Sequence, residues 1–143
     1  METFKYFFIL LFMITSCQHK PNQRESPLAI VVKLKTAESF ADLEEARKYI
    51  DIESAYQRMA SDSLTAENAW KSVVMFGKSL AQDKKFTNFF RYYEYRITEE
   101  VRKHNATVYF ESINRKKSTR KIIYKLENRN NQWIVISIKY QRN

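Results

Sequence analysis

The stretch KIIYKLENRNNQWIVISIKY, residues 121–140, decides the fold class of this protein. Ile122, Tyr124 and Leu126 recur at every second position, which is the spacing of a strand that buries one face. The polar run Asn128–Asn131 interrupts this pattern and predicts a tight turn. A final strand is expected from Gln132 to about Gln141.

Two more strands are predicted before this stretch. An alternation with a period of two begins at Phe89, and its apolar positions are Tyr93, Tyr95, Ile97 and Val101, followed after a turn near Lys103–Asn105 by Ala106, Val108 and Phe110. The polar segment Arg115–Ser118 marks the break before the third strand. Four long strands joined by short turns predict an antiparallel meander.

Helical signals fill the chain before the strands. Ser26-Pro27 is a typical helix start, and Ile30, Val31, Leu34 and Ala37 then share one face, although the Ile-Val-Val run also fits a strand. Asp42 and Glu45 have capping-box spacing, and Phe40, Leu43, Ala46 and Ile50 share a face. The clearest helix spans about Thr65 to Ala81. We therefore predict one α+β domain over residues 28–143, with N-terminal helices packed on a curved, cone-like, four-stranded antiparallel meander.

The first residues have the order of a secretory signal. In METFKYFFILLFMITS, residues 1–16, one lysine precedes an apolar run that ends in small polar residues. A membrane-spanning helix needs about 20 apolar residues, and this run is far shorter. The order Ile14-Thr15-Ser16-Cys17 resembles the lipobox of bacterial lipoproteins. The alternative is an ordinary signal peptide with a stray cysteine, but no Ala-x-Ala site is visible.

The lipobox resemblance implies a membrane address. It implies that residues 1–16 are a lipoprotein signal peptide, removed after diacylglycerol is attached to Cys17, and that residues 17–27 are the lipidated cysteine and a linker. Gln18 after the cysteine implies the outer membrane of the cell envelope, facing the periplasm. Because Cys17 is the single cysteine, no internal disulfide can form.

The order of elements resembles a second family, the nuclear-transport-factor-2-like cone, and especially small exported lipoproteins of that class. The resemblance rests on Ser26-Pro27, the segment LEEARKY at residues 43–49, the segment IIYKL at residues 122–126 and the segment QWIV at residues 132–135. It implies a pocket between helices and sheet, into which catalytic members project an Asp or a His.

No catalytic or metal-binding set emerges from the sequence. Glu99 has the strand parity of Ile97 and Val101, so it points inward, reaches water or pairs with a neighbouring Arg. His19 lies in the linker and His104 in a predicted turn. No His, Cys, Asp or Glu cluster has ligand spacing, and the single glycine excludes a Gly-rich phosphate loop. We expect no cofactor and no metal.

The aromatic residues offer two interpretations. They either line a ligand pocket or pack as plain core; the residues concerned are Trp70, Tyr93, Tyr95, Phe110, Tyr124 and Trp133, with Phe76. The opposite parity of the last strand is also apolar, through Ile134, Ile136, Ile138 and Tyr140, together with Ile123 and Tyr109. This pattern predicts that the outer sheet face is covered, and a homodimer through the sheet is one way to cover it.

The charge is concentrated in the second half of the chain. The net charge is +9, and residues 84–143 hold fifteen Lys or Arg against five Asp or Glu. The densest cluster consists of Arg115, Lys116, Lys117, Arg120 and Lys121. It either contacts a polyanion, such as anionic lipid or an acidic glycan, or it keeps a hairpin tip soluble. Export removes nucleic acid as a partner.

Two functions follow from these observations. The first is a non-catalytic binding or interaction module anchored in the envelope. The alternative is a small pocket enzyme or an amphipathic-ligand carrier of the same fold. A pocket with a buried carboxylate or His favours the alternative, and a pocket filled by aromatic rings favours the first.

Overall fold

The computed structural model describes residues 25–82, 92–113 and 119–142. For residues 81 and 82 it describes the backbone only. Within these ranges four α-helices precede four strands, so the predicted α+β class is confirmed. The helices are α1 (Pro27–Phe40), α2 (Leu43–Arg47), α3 (Ile52–Tyr56) and α4 (Ala66–Gln82). The strands are β1 (Tyr95–Val101), β2 (Asn105–Ser112), β3 (Thr119–Arg129) and β4 (Gln132–Arg142), and 3-10 turns lie at Gln57–Met59 and Tyr92–Glu94.

Helix α1 begins and ends at the residues that satisfy its free backbone groups. The Ser26 side chain accepts a hydrogen bond from the Ala29 N–H at 3.1 Å, and Pro27 occupies the first turn. Ala41 adopts a left-handed conformation with φ of 56°, and the Asp42 N–H donates back to the Ala37 carbonyl at 2.9 Å. The predicted helix is confirmed, and the strand alternative for the Ile-Val-Val run is wrong.

The chain reversal after α1 exposes one residue that we expected on a buried face. Phe40 is 75% exposed because the helix ends there and the backbone turns at Ala41. Asp42 caps α2 as predicted, accepting from the Glu45 N–H at 3.0 Å. The reciprocal half of the capping box is not among the contacts of Glu45, whose carboxylate accepts from Lys48 and Tyr49.

The sheet is a plain antiparallel meander in the order β1-β2-β3-β4, as predicted. The β3–β4 turn consists of Asn130 and Asn131, with φ values of 51° and 68°. Two consecutive left-handed residues form the tight turn that best fits the twist of a hairpin, and asparagine tolerates this conformation. The predicted cone-like curvature stays a prediction.

A β-bulge in β4 changes which side chains face the helices. Leu126 pairs with Val135 but Lys125 pairs with Ser137, so Ile136 is an extra residue in β4. Beyond it, Ile138 and Tyr140 stand opposite Tyr124 and Ile122. The prediction that Ile138 and Tyr140 face outward is therefore wrong, because the extra residue reverses the strand's parity.

The core lies between the helices and the sheet face of Val108, Phe110, Tyr124 and Val135, which we call the inner face. Residues of all four helices and of β2, β3 and β4 contribute buried side chains to one continuous cluster. The segment at Ile50 closes the edge beside β4, since Asp51 N–H donates to the Val135 carbonyl at 2.9 Å and Val135 N–H to the Tyr49 carbonyl at 2.8 Å. On the inner face, α1 contacts β1, β2 and β4, and α3 contacts β4.

Candidate functional site

Glu38 is the buried charged side chain of the described ranges, with 6% of its surface exposed. It lies in the last turn of α1, four residues after Leu34 and seven after Val31, and so shares their buried face. Both carboxylate oxygens have partners. The Trp70 indole N–H donates to Oε1 at 3.0 Å, and the Lys35 ammonium donates to Oε2 at 2.8 Å.

Lys35 and Glu38 form a neutral ion pair at the margin of the core. The Lys35 side chain is 21% exposed, so the pair reaches solvent at that end. Burial disfavours the ammonium ion, but the Glu38 carboxylate outweighs this effect, and the pKa of Lys35 stays above its ordinary value. The pair therefore brings two groups of opposite formal charge together.

Tyrosines surround this ion pair. We call Lys35, Glu38, Tyr56, Trp70, Tyr124 and Tyr140 the Glu38 cluster. Tyr56 and Tyr124 are buried, and their hydroxyls interact electrostatically with Glu38 and with the hydroxyl of Tyr140. Burial raises the pKa of Tyr56, and the Glu38 carboxylate raises it further. Burial likewise raises the pKa of Tyr124, so both hydroxyls are protonated at neutral pH.

The inner part of the cluster is packed with aromatic rings. The rings of Phe110 and Tyr124 meet edge to face with centroids 5.6 Å apart. The ring centroids of Tyr92 and Tyr95 each lie 6.2 Å from the ring centroid of Phe110. Such geometries suit the charge distribution of aromatic rings and favour a rigid wall.

Alkaline pH is expected to destabilise the fold through the cluster. A group whose folded pKa is raised contributes stability in full below its unfolded pKa, and this contribution is lost as the pH rises through the folded value. For Tyr56 and Tyr124 the unfolded pKa is 10.0, so the free energy of unfolding should fall above about pH 10, by at most about 1.4 kcal/mol per pH unit for each tyrosine. Lys35 acts in the same direction. Urea unfolding followed by circular dichroism across this pH range measures the slope.

The matched variant for this prediction is Tyr56→Phe, which removes one of the buried hydroxyls whose pKa is raised. Its slope of unfolding free energy against pH should be shallower than that of the wild type. A wild-type stability that does not change between about pH 9 and about pH 11 would contradict the assignment.

The structure separates the aromatic residues that we expected to line a pocket. Four belong to the buried core, namely Trp70, Phe110, Tyr124 and Trp133, and Tyr95 packs half-buried against it. Tyr93 is 72% exposed in the 3-10 turn before β1, so its expected inward position is wrong. Phe76 on α4 is 62% exposed and also lies outside the core.

Glu99 has a structural contact. Its Oε2 accepts a hydrogen bond from the Leu28 N–H at 2.7 Å, in the first turn of α1. A carboxylate there satisfies a free helix N–H and complements the helix dipole. Glu99 is exposed, and it fastens the start of α1 to β1. His104 is exposed in the β1–β2 connection, where its carbonyl accepts from the Asn128 N–H at 2.8 Å.

The predicted basic cluster is only partly visible. Arg115, Lys116 and Lys117 lie outside the described residues, as do Ile14, Thr15, Ser16 and Cys17. Arg120 is exposed, and the Lys121 ammonium lies 4.5 Å from the centre of the Tyr109 ring, on the outer sheet face. Tyr109, Ile123 and Ile134 on that face are partly exposed.

The sequence analysis missed Glu38, although the signal was present. Its spacing from Val31 and Leu34 places it on the buried helical face, and we read that face only through its apolar members. No group of three or more potential metal ligands forms within 25–82, 92–113 and 119–142. No helix in these ranges is long and apolar enough to cross a membrane.

Comparisons with known proteins leave the chain without a family. No protein-family model, no curated protein and no solved structure matches it. The function is therefore argued from the residues and their geometry.

Proposed function

We propose that this protein is a lipoprotein of the cell envelope, held to a membrane by lipid on Cys17, and that its folded domain is a non-catalytic binding module. The order Ile14-Thr15-Ser16-Cys17 supports the anchor, because the single cysteine stands where a lipobox requires it. A diacylated and N-acylated cysteine has the two or more acyl chains that stable anchoring needs.

The observation that carries the binding role is that both carboxylate oxygens of Glu38 accept hydrogen bonds from neighbouring side chains. A general acid or base needs an oxygen that can exchange a proton with substrate. The Trp70 indole N–H donates to one oxygen of Glu38 and the Lys35 ammonium to the other. Such a carboxylate positions neighbouring groups and does not transfer protons, which favours binding over catalysis.

The alternative, a pocket enzyme or an amphipathic-ligand carrier, is favoured by one specific observation: a buried carboxylate stands among tyrosines on the inner face. Its carrier form is compatible with our proposal, because aromatic walls with a few polar groups suit an amphipathic guest. Its enzyme form requires the Glu38 contacts to break. Native mass spectrometry of the protein from its membrane source tests the binding role, and a bound small molecule is the expected result.

The anchor is tested by a Cys17→Ser variant expressed in a bacterium with an outer membrane. Without the thiol no thioether to diacylglycerol can form, so incorporation of labelled palmitate and recovery in the membrane fraction should both be lost. Gln18→Ser introduces the same residue one position later and should keep the label. Persistent label on Cys17→Ser would refute the lipid anchor.

A further inference from the structure

One buried hydroxyl in the Glu38 cluster has an unmet hydrogen-bonding capacity. Tyr124 is fully buried, and its hydroxyl has no hydrogen-bond partner within the described part of the chain. Buried polar groups are paired in the great majority of cases, because an unpaired one costs free energy. An exception calls for a group that supplies the missing hydrogen bond.

The position of Tyr124 indicates where that group enters. Tyr124 lies on β3 opposite Ile138 of β4, and the next inward residue of β4 is Tyr140. The Tyr140 side chain stands on the edge strand and is 54% exposed, although its hydroxyl interacts electrostatically with that of Tyr124. Tyr140 is thus the exposed side chain that would have to turn outward for a molecule from solvent to reach Tyr124.

The charges around Tyr124 limit the kind of molecule that fits. The Lys35–Glu38 pair has no net charge, and the hydroxyls of Tyr56 and Tyr124 are neutral. A charged ligand would lose its hydration here without a counter-charge, which is strongly unfavourable. A tyrosine hydroxyl both donates and accepts, so the partner that matches it best is another hydroxyl.

We propose that the inner face beside Tyr124 binds a small uncharged molecule with a ring and a hydroxyl group, whose hydroxyl bonds to Tyr124. The ligand's ring takes the place that the Tyr140 ring leaves when it turns outward, beside Tyr124. This assignment rests on the binding role proposed above and specifies the class of ligand. Tyr140 lies at the entrance of this site, and the Lys35–Glu38 ion pair lies at its edge.

The test uses three probes that share one ring and differ in charge: benzyl alcohol, benzoate and benzylamine. Thermal unfolding of the full chain in detergent micelles is followed by circular dichroism as each probe is added. A ligand that binds only the folded state raises the melting temperature in proportion to its occupancy. Benzyl alcohol should raise it, and benzoate and protonated benzylamine should leave it unchanged.

Two phenylalanine variants locate the binding. Tyr124→Phe keeps the ring and removes an unpartnered hydroxyl, so it should fold, and its affinity for benzyl alcohol should be about fivefold weaker. Tyr109→Phe makes the same chemical change on the outer face and should bind like the wild type. Equal affinity in Tyr124→Phe and wild type overturns the proposal, and so does an equal shift with benzoate or no shift with benzyl alcohol.

The outcome is independent of the anchor. Fractionation of Cys17→Ser does not involve Tyr124, so a failed benzyl alcohol test with intact anchoring removes only the ligand class. A bound molecule of another class in the native mass spectrum would retain the binding module and exclude this ligand.

Discussion

Replacing Glu38 with alanine is expected to lower the free energy of unfolding by about 3 kcal/mol. The change leaves the Lys35 ammonium without its counter-ion and the Trp70 indole N–H without its acceptor. Breaking a buried ion pair on one side is costly because the remaining charge stays in a poorly hydrated site. Such losses are about 3–5 kcal/mol, and the partial exposure of the Lys35 side chain places this one at the lower end. Urea unfolding at neutral pH, followed by circular dichroism and Trp fluorescence, measures it.

Two controls separate the unpaired charge from the lost packing. Glu38→Gln keeps an oxygen for Trp70 and removes only the negative charge, so its loss should be smaller. The double variant Lys35→Met/Glu38→Leu leaves no unpaired charge and should be more stable than Glu38→Ala. If Glu38→Ala changes stability by less than about 0.5 kcal/mol, Glu38 is not the buried partner that the hydrogen bonds indicate.

Truncating Phe110 to alanine is expected to cost about 4 kcal/mol. Phe110 is fully buried and its ring contacts three tyrosine rings, at Tyr92, Tyr95 and Tyr124. Removal of the ring loses apolar burial and leaves a cavity that neighbours on a hydrogen-bonded strand cannot fill. The loss is measured as the shift of the urea midpoint at constant slope.

Phe40→Ala is the matched control for this truncation. It makes the same chemical change at the end of α1, where the ring is 75% exposed. Its effect should stay within about 0.5 kcal/mol. Comparable losses in the two variants would mean that Phe110 is not the centre of the inner ring cluster.

Local rules were sufficient for the order and type of the elements. Ser26-Pro27 marked the start of α1, and the helical pattern from about Thr65 to Ala81 marked α4, because caps and helical periodicity act over a few residues. The alternation of Ala106, Val108 and Phe110 placed the inward face of β2 correctly. Asn130 and Asn131 marked the β3–β4 turn.

Features that depend on pairing between segments were not predictable in the same way. The extra residue at Ile136 shows itself only in the pairing of β4 with β3, so alternation along β4 alone assigned Ile138 and Tyr140 to the wrong face. Tyr93 fits the alternation of β1 but lies in the turn before it. Glu38 can be buried at low cost only because Lys35 and Trp70 bind its carboxylate. Trp70 lies 32 residues away in the sequence.

The hydrogen bond between Glu99 and the Leu28 N–H sets a limit on reach. It fixes the entry of the chain at the β1 edge of the sheet, where Ser26 caps α1. If Cys17 carries lipid as proposed, nine residues, 17–25, separate the acyl chains from this fixed point. At about 3.3–3.6 Å per extended residue, this segment spans at most about 30 Å. Any molecule that this domain captures must therefore come within that length plus the domain's own diameter of the bilayer surface.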